Sequence, residues 1–190
     1  MAYINAFLTN RSFYDVDSRF CLALGDEIKK RAEKNPLLTI CDIPCGTQAN
    51  ALADLRIQYP QATLLGLDYQ LEREIRTLGT SLVRGDLFDI PFEGVSDVTY
   101  CAYILANVHA VDLDEHRSTL ARATFQLAKT LRKGGVAFVD ESVYTGRQHY
   151  VDMLVEEILH AHPDFSDQFK VSNNPELGHI GNYMVITRAN

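Results

Sequence analysis

Residues 37–55 read LLTICDIPCGTQANALADL, and this stretch decides the fold. A short apolar run from Leu37 to Ile43 stops at Pro44-Cys45-Gly46-Thr47, after which Ala49, Leu52, Ala53 and Leu55 recur at helical spacing. The segment is thus a strand, a tight turn and a helix, which is how a parallel crossover unit begins. Such a turn sets backbone N–H groups at a helix N-terminus, a place that favours a carboxylate or phosphate.

Working outward, Asp17-Ser18 caps a helix whose apolar positions Phe20, Leu24 and Ile28, with Cys21 and Leu22 alongside, run until Asn35-Pro36. Downstream of Tyr59-Pro60, ATLLGLD (62–68) reads as a second strand, QLEREIRTL (70–78) as a helix and TSLVRGD (80–86) as a third strand. VSDVTYCAYIL (95–105) is a fourth strand. Asp114 then caps a long helix carrying Leu120, Ala123, Leu127 and Leu131, ending at Lys133-Gly134-Gly135. VAFVDESV (136–143) is a fifth strand, RQHYVDMLVEEILHAH (147–162) an amphipathic helix closed by Pro163, and FKVS and GHIGNYMVITR a pair of tail strands. Strands alternating with helices predict an α/β fold, a three-layer, doubly wound and mostly parallel seven-stranded sheet with an antiparallel C-terminal edge strand. Residues 1–190 read as one domain, with 1–35 an N-terminal helical lid segment and 36–190 the core.

Composition narrows the partners. Of the 190 residues, 18 are Lys or Arg and 25 Asp or Glu, a net charge of −7, and the longest basic run is Lys29-Lys30-Arg31, so nucleic acid is disfavoured. No stretch of 18 uncharged apolar residues suggests a membrane partner. The opening MAYINAFLTNRSFYD has no basic region followed by an apolar one, which points to a cytoplasmic location. Cys21, Cys41, Cys45 and Cys101 form no C-x-x-C knuckle and read as reduced, packed thiols; no metal site is expected.

In a doubly wound sheet ligands bind beyond the carboxyl ends of the strands, so the residues just after each strand carry the function. Three of these tips begin with an acid: Asp42, Asp68 and Asp86. An Asp ending the second strand can accept both hydroxyls of a ribose, and Asp68 falls 22 residues after Gly46. Gly46 is the only glycine between Gly25 and Gly66, so the G-x-G-x-x-G that admits a pyrophosphate is absent, as is G-x-x-x-x-G-K-[ST]. Dinucleotides and nucleoside triphosphates lose ground.

TICDIPCGTQANALADL resembles the first motif of class I (Rossmann-like) S-adenosylmethionine-dependent methyltransferases, in the variant where Pro replaces the first Gly. LLGLDYQ resembles the second motif and VRGDLFDIPF the third. VTYCAYILANV, then LAKTLRKGGVAFVDES, resemble the fourth strand, its following helix and the fifth strand. The similarity spans residues 37–143 in the right order. It implies that Asp42, Cys45 and Gly46 shape the methionine end of the cofactor pocket and that Asp68 takes the ribose hydroxyls. It further implies that Tyr69 packs on the adenine, that Asp86 and Leu87 address its amino group, and that Ala102 and Tyr103 line the methionine moiety. Gln48 departs from the pattern, which usually has Gly there.

The implied activity is methyl transfer to a small-molecule acceptor by in-line displacement, leaving S-adenosylhomocysteine. Approximation supplies most of the rate in such a reaction, and a general base is needed only if the acceptor must lose a proton. His109 after the fourth strand, and Tyr144 and His149 after the fifth, are the candidates. Strand five ends Asp140-Glu141-Ser142, unlike metal-dependent catechol-type enzymes, and Tyr103-Ile104-Leu105-Ala106 lacks the D/N-P-P-Y/F of base-modifying ones. An aromatic lid from Tyr3, Phe7, Phe13, Tyr14 and Phe20 could cover the acceptor. The competing classes are a non-catalytic, cofactor-binding regulator or assembly partner with the same fold, and a nucleotide-dependent oxidoreductase.

Overall fold

The computed structural model describes residues 18–46, 49–71, 74–77, 79–102, 113–140, 148–173 and 183–190. Its strands are β1 (Thr39–Asp42), β2 (Thr63–Asp68), β3 (Ile75–Thr77), β4 (Thr80–Arg84), β5 (Ser96–Cys101), β6 (Leu131–Asp140), β7 (Phe169–Asn173) and β8 (Tyr183–Arg188). They form one sheet in the order β3-β4-β2-β1-β5-β6-β8-β7. Helices α1 (Ser18–Lys34), α2 (Asn50–Gln58), α3 (Leu113–Thr130), α4 (Gln148–Ala161) and the short α5 (Phe165–Gln168) complete the described elements. None of the described helices is long and apolar enough to cross a membrane.

Period-2 alternation along the central strands sends side chains to opposite faces, so one sheet serves two cores. Ile40, Leu64, Val98, Val136 and Phe138 meet Phe20, Leu24 and Ile28 of α1 and Leu52 and Leu55 of α2. Cys41, Leu67, Cys101, Ala137 and Val139 meet Leu120 and Leu127 of α3 and Val151, Leu154 and Ile158 of α4. The result is the three-layer, doubly wound α/β fold expected, with β4, β2, β1, β5 and β6 parallel and β8 antiparallel. β1 lies between β2 and β5, from which the chain winds in opposite directions, so the ligand crevice falls at the carboxyl end of β1.

Three details correct the sequence-based picture. Residues 75–77, expected within a helix, instead form β3, an eighth strand antiparallel to β4 that covers the sheet's edge. The antiparallel C-terminal strand β8 lies one place in from the edge, and β7 is outermost. Lys133-Gly134-Gly135 belongs to β6, which starts at Leu131, because α3 already ends at Thr130.

The β3–β4 hairpin is tied down by Arg56 of α2. Its guanidinium donates to the carbonyl oxygens of Pro60 at 2.9 Å, Ala62 at 2.8 Å and Gly79, and to Thr80 Oγ1 at 2.7 Å. Gly79 turns the hairpin with φ of 77°. Charge-assisted bonds to part-buried carbonyls are costly to lose, so Arg56→Ala should lower unfolding stability by about 2 kcal/mol, read from a denaturant midpoint, while Arg56→Lys recovers only part of it.

Candidate functional site

Asp42 ends β1 with 3% of its surface exposed, facing Gly66 of β2 and Tyr100 of β5 in register. Beyond it the chain is stitched to both neighbours in turn. The Ile43 N–H donates to the Tyr100 carbonyl at 3.0 Å, and the Cys45 N–H to the Leu67 carbonyl at 3.0 Å. The Gly46 N–H then donates to Asp68 Oδ2 at 2.9 Å. Gly46 adopts φ of 72°, and Ala49, at φ of 51°, leads into α2. The other oxygen of Asp68 accepts the Gln70 N–H at 2.7 Å. Asp68 therefore ties the first turn to the end of β2.

Gly66 was not singled out in the sequence, yet the turn depends on it. A Cβ there would stand 2.7 Å from Leu52 Cδ1, 2.7 Å from Leu82 Cδ2 and 3.0 Å from Cys45 Sγ. A glycine inside an apolar strand was the available signal of close approach. Tyr100, likewise overlooked, is the other site residue, because its hydroxyl interacts with the Asp42 carboxylate.

Burial pushes Asp42 well above the usual carboxylate range; the Tyr100 hydroxyl draws it back down and the Asp68 charge raises it again. Burial, then Asp42 and Asp68, push the Cys45 thiol up, and burial pushes Cys41 up to about 12. Asp42 thus binds a proton more tightly folded than unfolded, so its contribution is fully present below the unfolded carboxylate pKa and is lost as pH rises through the folded one. Asp42→Asn should remove this loss and stabilise the ligand-free protein at neutral pH by ~0.5–2 kcal/mol, a gain that disappears near pH 4. Thermal melts across pH check it.

The remaining expected positions divide. Asp42, Cys45, Gly46 and Asp68 converge on one turn. Asp86 lies exposed just past β4, its Oδ1 accepting the Phe88 N–H at 2.9 Å, while Leu87 is buried in the core under α3 and α4. Tyr69 is 76% exposed beside Asp68, and Ala102 packs against the α1–α2 core. Tyr103, Gln48, His109 and Tyr144 lie outside the described residues, as do Tyr3, Phe7, Phe13 and Tyr14. His149 falls in the first turn of α4, but its side chain is outside the described set. Phe20 is buried, edge-on to Phe138 and Tyr183. His162 is half-buried and stacks on Phe125 at 3.6 Å between ring centroids.

Two close carboxylates around a glycine turn can receive hydroxyl donors and a cationic group. No family model matches the sequence, and no curated protein is detectably similar to it. Solved structures do match. A TehB-like SAM-dependent methyltransferase from Corynebacterium glutamicum superposes with a TM-score of 0.56 at 15% identity, over 86% of this chain and 87% of that one. The sugar N-methyltransferase KedS8 from Streptoalloteichus sp. gives 0.55 at 18%, over 90% and 88%. A 16S rRNA (adenine(1408)-N(1))-methyltransferase from Catenulisporales acidiphilia gives 0.54 at 12%, over 88% and 91%. At such identities the likeness speaks for architecture, and it agrees with the strand order and the glycine turn: the chain has the class I, Rossmann-like fold of the S-adenosylmethionine-dependent methyltransferases.

Proposed function

We propose that the protein is a methyltransferase that binds S-adenosylmethionine at the carboxyl end of β1 and transfers its methyl group to a small-molecule acceptor. The observation that carries this is the bond from the Gly46 N–H to Asp68 Oδ2, which joins the glycine turn and the strand-two acid into one binding surface at the switch point of the sheet.

The donor set suits the cofactor. A carboxylate offers about four acceptor positions, and the Gly46 and Gln70 amides occupy two of those on Asp68, leaving room for two ribose hydroxyls. Asp42, Cys45 and Gly46 would hold the methionyl end, Tyr69, Asp86 and Leu87 the adenine, and Ala102 and Tyr103 the wall beside the methionine. When bound, S-adenosylmethionine supplies an already activated methyl group. The chain's own residues need only fix donor and acceptor in line and exclude water. Where the acceptor carries a proton, His109, Tyr144 and His149 are the groups proposed to take it. The net charge of −7 favours a small acceptor over nucleic acid.

Calorimetric titration with S-adenosylmethionine, S-adenosylhomocysteine and a nicotinamide dinucleotide tests the site, followed by incubation with methyl-labelled cofactor and fractionated cell extract. Saturable binding of the first two, with label appearing in a small-molecule fraction, supports the assignment. Binding without transfer across all extracts indicates a regulator, and tighter binding of the dinucleotide overturns the cofactor assignment.

A further inference from the structure

We propose that Tyr100 is a positioning residue of this site: from the strand beside Asp42 its hydroxyl steadies the Asp42 carboxylate, so that the acid meets the cationic methionyl end of the cofactor as an anion. The inference rests on the cofactor assignment above and extends it to a residue that touches no ligand.

The geometry is that of neighbouring strands. Asp42 and Tyr100 are register partners in the parallel pair β1–β5, and the backbone bond from Ile43 to Tyr100 locks the pair where the turn departs. Parallel strands lie about 4.8 Å apart, which puts paired side chains within reach of each other. Both residues are buried, Asp42 at 3% exposure and Tyr100 at 2%, and the Tyr100 ring is held in the core beneath α1 and α2. From there the hydroxyl acts on the carboxylate as a side-chain donor.

The company Asp42 keeps makes Tyr100 matter. Among the described residues, the groups acting on it are the Tyr100 hydroxyl from β5 and the Asp68 carboxylate from β2, while its own charge acts on the thiols of Cys45 in the turn and Cys41 beside it. None of these is a cation. Burial and the Asp68 charge oppose an anion at this spot, and the Tyr100 hydroxyl favours one. A buried acid kept so, with no positive partner among the described residues, is matched by a ligand that brings its own positive charge.

The test is the pH profile of S-adenosylmethionine affinity for the wild type, Tyr100→Phe, Asp42→Asn and the double variant. The ligand's own ionisation is common to all four and cancels. Relative to Asp42→Asn, the wild-type affinity should rise with pH and level off. Tyr100→Phe should move that rise up by roughly one pH unit, binding about tenfold more weakly along the rising limb yet within about twofold of wild type once both have levelled off. Asp42→Asn should leave only the pH dependence of the ligand itself, whether or not the hydroxyl is present. A loss that is equal at every pH, as from a merely structural role, or an unchanged profile, overturns the proposal.

A ligand-free readout separates this from the cofactor assignment. The fall in thermal midpoint with rising pH, which Asp42 causes, should extend to higher pH in Tyr100→Phe and vanish in both Asp42→Asn backgrounds. If that extension is seen but no variant binds S-adenosylmethionine at any pH, the pairing holds and the cofactor assignment fails. If the extension is absent, the pairing itself is refuted.

Discussion

Replacing Gly135 by alanine is expected to cost about 3 kcal/mol of unfolding stability or more, seen as a lower denaturant midpoint at unchanged slope. The added Cβ would stand 2.7 Å from the Ser96 carbonyl oxygen, 2.8 Å from that of Arg132 and 3.3 Å from the Arg132 nitrogen. All three are backbone atoms, and none can swing aside as a side-chain tip would. Gly135 sits where the β5–β6 ladder changes register, since Ser96 pairs with Leu131 and Val98 with Val136. Moving it disturbs Asp97 in between, whose Oδ2 accepts the Thr39 N–H at 2.7 Å and whose Oδ1 pairs with Arg132. The damage would therefore spread into the start of β1. Gly25→Ala in α1 is the matched control: nothing lies within 4 Å of its added Cβ, and alanine favours the helix, so it should be neutral or slightly stabilising. Similar losses from the two substitutions would show that packing against β5 is not what requires Gly135.

How much of this was legible beforehand follows from where local and distant forces agree. The strand-turn-helix at residues 37–55 was readable because apolar strand, breaker and helical spacing all point the same way. The positions of Asp42 and Asp68 at strand ends, and of Asp86 just past one, follow directly. Segment 70–78 was misread because Glu72, Arg73, Glu74 and Arg76 favour a helix locally, whereas pairing with the exposed edge of β4 favours a strand at 75–77. Gly79 between two short threonine-bearing segments was the hairpin signal. The Arg84 N–H donating to Glu74, and the Arg84 guanidinium to the Leu71 carbonyl, hold the crossing that no local pattern encodes. Likewise Lys133-Gly134-Gly135 looked like a helix end, a common use of glycine, but Gly135 serves a close approach of strands instead. At the site, the acids could be placed from their spacing, while Tyr100 and Gly66 could not, since their roles depend on which strands become neighbours.

Asp68→Ala should weaken S-adenosylmethionine binding by about 10–100-fold, or ~1–3 kcal/mol, with a smaller loss of stability. The side chain performs two tasks that one substitution removes together. In the free protein it accepts the Gly46 and Gln70 amides, shaping the turn; in the proposed complex it also accepts the ribose hydroxyls. Asp68→Asn keeps one carbonyl oxygen, which can serve one of these donors but not all, and should fall between wild type and alanine. A 2′-deoxyribose analogue of the cofactor separates the tasks. If Asp68 contacts the ribose, the analogue's penalty should largely vanish in Asp68→Ala, because the two losses then remove the same interaction and cannot add. If the penalties add in full, Asp68 acts only through the turn, and an affinity within twofold of wild type in Asp68→Ala would remove it from the binding surface altogether.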